Sequence, residues 1–176
     1  MYLTNGNTAL DIPTREDLSK SLEIRNDYED VVNYRTWKPL TELNQNWYWE
    51  NVVNNKDHAV FTIFQRRTEM VIGEVRISNI DWKNRCGEIG VILHRKFRGK
   101  GHGKEAIEMI VGYGFDRLNL HRLEAQCVAS NKASRGVFRS LGFEEEGYIK
   151  DAMFTTGRYE DIIIAGLINP NHRYLY

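Results

Sequence analysis

The sequence has few cysteines, no surplus of charge and no long apolar run, and each shortage excludes a class of protein. Cys86 and Cys127 form no CxxC pair, which fits a reducing compartment and argues against a thiolate metal site. The 24 basic and 24 acidic side chains balance, so we do not expect a protein whose main task is to coat nucleic acid or an anionic membrane. No stretch approaches the roughly 20 apolar residues that a membrane span needs.

Targeting and linker signals are equally sparse. The N-terminus has no basic segment followed by an apolar stretch, so we expect no secretory signal and a cytoplasmic protein. The five histidines lack ligand spacing, and we expect no metal. With three prolines, no repeat and no low-complexity tract, nothing marks a linker. Residues 1–176, of which 41% are hydrophobic, therefore predict a single domain with a packed core.

The order of hydrophobic patterns predicts an α/β (α+β) fold. An antiparallel meander is followed by a strand–helix–strand unit over Glu88–Ala129, whose two strands should be parallel neighbours. Between them, apolar residues from Ile107 to Leu118 fall on one face of a helix. We expect a mixed sheet of six to seven strands with helices on both faces. The predicted helices are 16–26, 41–54, 104–116 and 131–141, and the predicted strands are 8–12, 59–64, 71–77, 88–93, 123–127, 143–153 and 159–167.

The most informative segment is a glycine-rich turn between a predicted strand and the amphipathic helix, Arg98-Gly99-Lys100-Gly101-His102-Gly103-Lys104. Alternating glycines allow positive φ and can turn their N–H groups toward a common point. The following helix adds its unpaired N–H groups and the positive end of its dipole. The turn therefore predicts a phosphate or pyrophosphate cradle, with Arg98, Lys100 and Lys104 as counter-charges. The alternative is a tight strand-to-helix turn and nothing more.

Two common nucleotide motifs fit this turn poorly. A P-loop reads GxxxxGK[ST], whereas Lys104 is followed by Glu105 and the glycine spacing differs. A dinucleotide fold needs GxGxxG near the start of a doubly wound sheet, and here GxGxG lies in mid-chain beside one clear βαβ unit. Glu124 does lie at a suitable distance along the chain for a ribose contact. A nucleotide-binding regulatory domain therefore stays an alternative.

The turn and three other segments resemble the GNAT acetyltransferase superfamily. Arg98-x-x-Gly101-x-Gly103 matches its R/Q-x-x-G-x-G/A signature, and Glu88–Leu93 is similar to the strand before it. The remaining matches are Asn131-Lys132-Ala133-Ser134, Leu141-Gly142-Phe143-x-x-Glu146-Gly147 and Gly157-Arg158-Tyr159-Glu160-Asp161. The resemblance covers roughly Leu10 to Leu167. Its branch includes ribosomal-protein N-terminal (alanine/serine), spermidine and amino-sugar acetyltransferases, and it implies two central parallel strands splayed around acetyl-CoA, the acyl donor.

The resemblance also implies which residues hold acetyl-CoA. The backbone from Arg98 through Gly103 would bind the pyrophosphate: Arg98, Gly99, Lys100, Gly101, His102 and Gly103, with Lys104 at the rim. The backbone of Val91, Ile92 and Leu93 would pair with the pantetheine arm and the acetyl carbonyl, although these residues would form a buried strand in any case. Asn131 would approach from the other side.

Transfer of the acetyl group needs an unprotonated amine and a leaving thiolate. A lysine-like amine with a pKa of about 10.4 is roughly 99.9% protonated near pH 7, whereas an α-amine with a pKa of about 8 needs less help from a base. Glu88 is the first candidate base, directly or through water, and Glu74 is the second. Some relatives place a tyrosine acid where this chain has Phe138, so the candidate acid is Ser134, which equally fits an ordinary first-turn helix residue.

The acceptor side is the least specific part of the resemblance. It implies a site over the first two helices, their loop and the last strand pair, with Trp37, Glu74 and Arg76 as candidate acceptor-binding residues. We expect a peptide or protein α-amine first, and a small-molecule amine such as a polyamine or amino sugar second. A non-catalytic acyl-CoA-binding module is the alternative. We expect no nucleic acid or membrane partner, and either a monomer or a homodimer.

Overall fold

The structure, a computed structural model, describes residues 1–27, 38–155 and 157–171. The described strands are β1 (Leu3–Asn5), β2 (Thr8–Asp11), β3 (Ala59–Gln65), β4 (Met70–Asp81), β5 (Cys86–Leu93), β6 (Arg122–Val128), β7 (Glu144–Thr155) and β8 (Arg158–Ile168). They form one sheet in the order β1-β2-β3-β4-β5-β6-β8-β7. Among these described strands only β5 and β6 pair in parallel, which confirms the predicted strand–helix–strand unit. The described α-helices are α1 (Arg15–Arg25), α2 (Glu42–Tyr48), α3 (His102–Asp116) and α4 (Lys132–Ser140).

Three of these helices are preceded by a residue whose side chain caps the helix. Thr14 before α1 and Thr41 before α2 each form a capping box, in which the threonine side chain accepts from the backbone N–H three residues on. Asn131 accepts in the same way from Ser134 at the start of α4. These contacts satisfy N–H groups that a helix otherwise leaves unpaired. The predicted helix 41–54 is α2 followed by a π-helical turn, Trp49–Val53.

The helices lie on both faces of the sheet, as predicted. On one face, α3 packs so closely that a Cβ on Gly114 would lie 2.8 Å from Cδ1 of Ile77. This face carries the apolar core, which includes Val75, Ile107 and Leu123 and is continuous from β2 to β8. The opposite face carries α1 and α2, whose Arg25 and Tyr48 bond to Glu74 of β4. Because side chains alternate along a strand, β4 and β5 present an apolar side to α3 and a polar side to α1.

The sheet of the described residues has eight strands, one more than the upper limit of the six to seven that the sequence predicted. The additional strand is β1, which has only three residues and pairs with β2 across a turn at Gly6 and Asn7. Three residues are too few to show a period of two, so the pattern could not reveal this strand. None of the helices in the described ranges is long and apolar enough to cross a membrane.

Candidate active site

The parallel strands β5 and β6 separate halfway along their length. Their register pairs Cys86 with Arg122 and continues only as far as Ile89 with Ala125. Beyond that point Gly90–Leu93 and Gln126–Val128 continue without pairing to each other, although each still pairs with its other neighbour. The β6 side of Val91, Ile92 and Leu93 is therefore an open strand edge. An extended chain with amide groups, such as the pantetheine arm, could pair there as an additional strand.

The glycine turn follows β5 directly and ends at the N-terminus of α3. Gly99 and Gly101 have φ of +69° and +92°, the left-handed region in which other residues are strained. A Cβ on Gly99 would meet no heavy atom within 4 Å, and one on Gly101 would meet only Oε1 of Glu105, at 3.9 Å. The glycines therefore border open space rather than packed neighbours. Gly101 is the N-cap of α3 and makes no side-chain cap, so the first N–H groups of the helix are left for a ligand.

Cationic side chains surround this turn in different ways. Lys100 and Lys104 are exposed, and Nζ of Lys100 lies 5.7 Å from the ring centroid of Phe97. Arg98 is half-buried and its Nε donates to the carbonyl of Leu93, at 3.0 Å. Arg98 thus joins the end of β5 to the start of the turn. A pyrophosphate fits this combination of free N–H groups, open space and positive charge.

The side chain of His102 points away from the cradle. It is 3% exposed and contacts Thr8 of β2, with Nδ1 2.8 Å from Oγ1. The sequence grouped His102 with the residues whose backbone would bind the pyrophosphate. Its main chain, at the first position of α3, lies in the glycine turn, whereas its side chain does not. Gly103 follows in the same turn of helix, where a Cβ would lie 3.2 Å from Cδ1 of Leu93.

The start of α4 holds the second group of predicted residues. The side-chain oxygen of Asn131 accepts from the N–H of Ser134 at 3.0 Å, so this oxygen is occupied as a helix cap. Ser134 is half-buried, and its hydroxyl takes part in none of the hydrogen bonds found among the described residues. Phe138, one helical turn further, is 6% exposed and packs against Phe143 with ring centroids 5.1 Å apart. That position therefore belongs to the core in this chain.

Glu88 lies on the polar face, just before β5 and β6 separate. It is half-buried, and its strand partners are Ser78 on β4 and Glu124 on β6. Two residues further along β5, Gly90 leaves room for Arg76: a Cβ on Gly90 would lie 3.4–3.6 Å from the guanidinium. Glu88 thus lies on the strand that borders the opening. Its side chain is on the polar face of the sheet, the face that also carries α1.

Glu74, the other candidate base, is the centre of a buried ionic cluster. Its Oε1 accepts from Arg25 at 2.8 Å, from the Tyr48 hydroxyl at 2.6 Å and from Arg76 at 3.2 Å. The guanidinium of Arg25 also lies over the Tyr48 ring, 4.9 Å from its centroid. The Glu74 side chain is only 4% exposed, and Oε2 is buried without a hydrogen-bond partner among the described residues.

Electrostatics fix the protonation states in this cluster. Burial raises the pKa of the Glu74 carboxyl, but the charges of Arg25 and Arg76 and the hydrogen bond from Tyr48 outweigh it and hold the pKa below its usual range. Burial raises the pKa of the Tyr48 phenol, and the charge of Glu74 raises it further. Glu74 is thus an ionised acceptor and Tyr48 a protonated donor. A carboxylate stabilised in this way is a weak base, which argues against Glu74 as the residue that accepts the proton of the amine.

Sequence reasoning did not connect two members of this cluster to Glu74. Arg25 ends α1 and Tyr48 ends α2, and no local pattern links either to Glu74, which lies 49 and 26 residues further along the chain. The predicted acceptor residue Trp37 lies outside the described residues. Arg76, with a side chain 28% exposed, lies at the edge of the cluster beside Gly90. Within the described parts of the chain, no three His, Cys, Asp or Glu side chains form a group that could hold a metal ion.

Other carboxylates near the open strands are ion-paired as well. Arg122 bonds to Glu124 at 2.8 Å and to Glu146, whose Oε1 lies 2.7 Å from Nη1. Arg135 bonds to Glu145 at 2.8 and 3.0 Å. Two of the three carboxylates in the acidic run Glu144–Glu146 are therefore neutralised by arginines of β6 and α4.

Comparisons with known proteins agree with this geometry. Residues 9–144 match the acetyltransferase (GNAT) domain family. An uncharacterized N-acetyltransferase, p20 of Bacillus licheniformis, is 32% identical over 147 residues, which are 81% of this chain and 83% of that protein. The [ribosomal protein uS5]-alanine N-acetyltransferase of Escherichia coli is 30% identical over 112 residues, 63% of this chain and 58% of that protein. The crystal structure of a spermidine N-acetyltransferase from Vibrio cholerae in complex with CoA and spermine superposes with a TM-score of 0.84 at 22% identity, and covers 93% of this chain and 96% of that one.

Proposed function

Because this chain belongs to the GNAT acetyltransferase domain family, we propose that it acetylates the N-terminal α-amine of a protein or peptide. The chain is an acetyl-CoA-dependent N-acetyltransferase. In the proposed reaction the amine attacks the acetyl carbonyl directly in a ternary complex. The C–N bond forms, the C–S bond breaks, the amine loses its proton and CoA leaves as the thiol. No covalent enzyme intermediate is involved.

The separation of β5 and β6 next to the glycine turn is the observation that carries the acetyl-transfer part of this proposal. The open edge of Val91–Leu93 continues into the cradle at Gly99–Gly103, so one continuous path along β5 accommodates both a pantetheine arm and a pyrophosphate. Glu88 lies on the same strand, beside the point where the opening begins. The thioester end of the donor would then lie near a carboxylate that can accept the proton of the amine.

The charge pattern supports an acceptor with one amine over a polyamine. A polyamine carries several ammonium groups, which need carboxylates that are not already neutralised. In the described part of the polar face, Glu74 is shared by two arginines, and Glu124 and Glu146 share Arg122. An α-amine brings a single charge and also needs less help from a base, because its pKa is about 8.

The second catalytic role is that of a general acid, which protonates the leaving thiolate. Ser134 has a suitable place at the start of α4, on the far side of the opening, and Phe138 has no proton to donate. A thiol with a pKa of about 8.5 leaves tolerably without an acid. We therefore propose Ser134 as an auxiliary donor whose loss slows turnover without abolishing it.

The test is acceptor-dependent release of CoA from acetyl-CoA with three panels: N-terminal peptides, polyamines and amino sugars. We expect release with peptides, and none with the same peptides after their α-amine is blocked by acetylation. Release with polyamines or amino sugars alone would contradict the peptide proposal while leaving the acetyltransferase intact. Tight binding of acetyl-CoA with no release from any panel would favour the non-catalytic acyl-CoA-binding module instead.

A further inference from the structure

A buried chain of hydrogen bonds joins strand β2 to the first turn of α3. Thr8 Oγ1 lies 2.8 Å from Nδ1 of His102 and 2.5 Å from Oε2 of Glu105. Thr8 is fully buried and His102 nearly so. A hydroxyl has one proton and an ionised carboxylate can only accept, so Thr8 donates to Glu105 and accepts from the N–H of His102. The direction of the chain is therefore fixed, from imidazole to hydroxyl to carboxylate.

The turn of the β1–β2 hairpin adds to this contact. The backbone N–H of Asn7 donates to Oε2 of Glu105 at 3.2 Å, and Nδ2 of Asn5 donates to Glu108 at 2.9 Å. Gly6, at φ +52°, brings the turn close: a Cβ there would lie 2.3 Å from Oε1 of Glu105. We call Gly6, Asn7, Thr8, His102 and Glu105 the hairpin cluster.

The hairpin cluster lies at the described α-helix whose start has no side-chain cap. Thr14, Thr41 and Asn131 cap α1, α2 and α4, whereas Gly101 at the start of α3 offers no side chain. An uncapped first turn is more easily distorted, because nothing holds its free N–H groups in one direction. In α3 the side chains of His102 and Glu105 are instead held from outside, by β2 and the hairpin turn.

The position of Glu105 gives this contact a second consequence. Its Oε1 lies 3.9 Å from the place that a Cβ on Gly101 would occupy, so a carboxylate borders the predicted phosphate cradle. The hydrogen bonds from Thr8 and Asn7 both go to Oε2 and hold this side chain toward the hairpin. Without them the negative charge could turn toward the pyrophosphate and repel it.

We propose that Thr8 is a positioning residue for acetyl-CoA. Through His102 and Glu105 it holds the first turn of α3 so that the free N–H groups from Gly101 to Lys104 face the pyrophosphate, and it keeps the Glu105 carboxylate turned away. This rests on the assignment of the pyrophosphate to the glycine turn.

The test compares acetyl-CoA with acetyl-pantetheine, a donor that lacks the pyrophosphate, in wild type and Thr8→Val. The substitution keeps the shape of the side chain and removes the hydroxyl. For acetyl-CoA we expect the KM to rise about tenfold, as for loss of a hydrogen bond to a charged group, while kcat at saturation changes less than twofold. For acetyl-pantetheine we expect kcat/KM to stay within twofold of wild type. Thr8→Ser retains the hydroxyl and should restore the KM for acetyl-CoA.

Two more variants keep the result interpretable. Ile63→Val removes one methylene from the neighbouring strand β3 and lowers stability without touching the hairpin cluster, so its KM should not change. His102→Leu removes the hydrogen bond to Thr8 from the helix side and keeps the Glu105 carboxylate, so it serves if Thr8→Val does not fold. Equal losses with both donors, or an unchanged KM in Thr8→Val and His102→Leu, would overturn the role of Thr8. A wild-type enzyme that uses both donors equally well would instead contradict the pyrophosphate assignment itself.

Discussion

Replacing Gly101 tests the cradle most directly, because the structure separates its effect on folding from its effect on binding. Gly101 is the N-cap of α3 with φ of +92°. A Cβ there would meet only Oε1 of Glu105, at 3.9 Å, so Gly101→Ala introduces no overlap with the protein. The added methyl group would occupy the space that we assign to the pyrophosphate. The variant should therefore fold and bind CoA more weakly.

The two effects differ in size. The left-handed conformation costs an alanine about 1–2 kcal/mol, a fraction of the 5–15 kcal/mol that stabilises a typical domain. For a chain of this length the melting temperature should fall by about 2–8 °C. Displacing a phosphate from one charged hydrogen bond costs about 1.5–3 kcal/mol, so the Kd for CoA should rise about 10- to 150-fold. Gly101→Glu adds a repulsion of about 3 kcal/mol and should abolish measurable binding.

The assay is calorimetric titration of CoA beside a thermal melt of the same samples. Gly112→Ala in the same helix is the matched control, since a Cβ there meets nothing within 4 Å and the backbone is helical. It should raise stability by about 0.5–1 kcal/mol and leave the Kd unchanged. A Gly101→Ala protein that binds CoA within twofold of wild type would refute the cradle. Loss of affinity in Gly112→Ala would show that the effect is not local to it.

Three further predictions concern the other residues of the site. Glu88→Gln should lower kcat/KM about 100-fold or more and leave the Kd for CoA unchanged, and the loss should be largest at low pH, where more of the acceptor amine is protonated. The control is Glu124→Gln, which changes an ion-paired carboxylate on the neighbouring strand. A loss of kcat/KM that does not depend on pH would reject Glu88 as the base. Ser134→Ala should reduce kcat less than tenfold at constant KM, and a loss of a thousandfold would show that acid catalysis is essential. Glu74→Gln should destabilise the fold by about 3–5 kcal/mol at neutral pH, because it leaves two half-buried arginines without their buried counter-charge. The pKa of Glu74 is lowered in the folded state, so its ion pairs stabilise the fold fully above the unfolded-state pKa. This stabilisation is lost as the pH falls through the folded-state pKa. The difference between Glu74→Gln and wild type in the free energy of unfolding, measured with urea, should therefore shrink in acid.

Short-range pattern was enough for most of the fold. The period of two in β4 and β5, the apolar face of α3 and the glycines between them are local signals, and each element lies within a few residues of its predicted bounds. Adjacent strands and a right-handed crossover then leave few arrangements open. The sequence did not predict strand β1, because three residues are too few to show a period of two. It did not predict the π-helical turn after α2, because the residues of that turn also suit an α-helix.

The sequence by itself determined the family and the acyl donor, and it predicts the place of the donor on the chain, because a phosphate cradle is built from backbone N–H groups of consecutive residues. Only the tertiary structure decided how the side chains act. It ion-paired Glu74 with Arg25, 49 residues away, and so made this carboxylate a weak base. It joined His102 to Thr8 across 94 residues, and so turned a residue of the glycine motif toward the hairpin. A carboxylate or an imidazole has no fixed role of its own, since its charge and its proton depend on partners that only folding brings within hydrogen-bond distance.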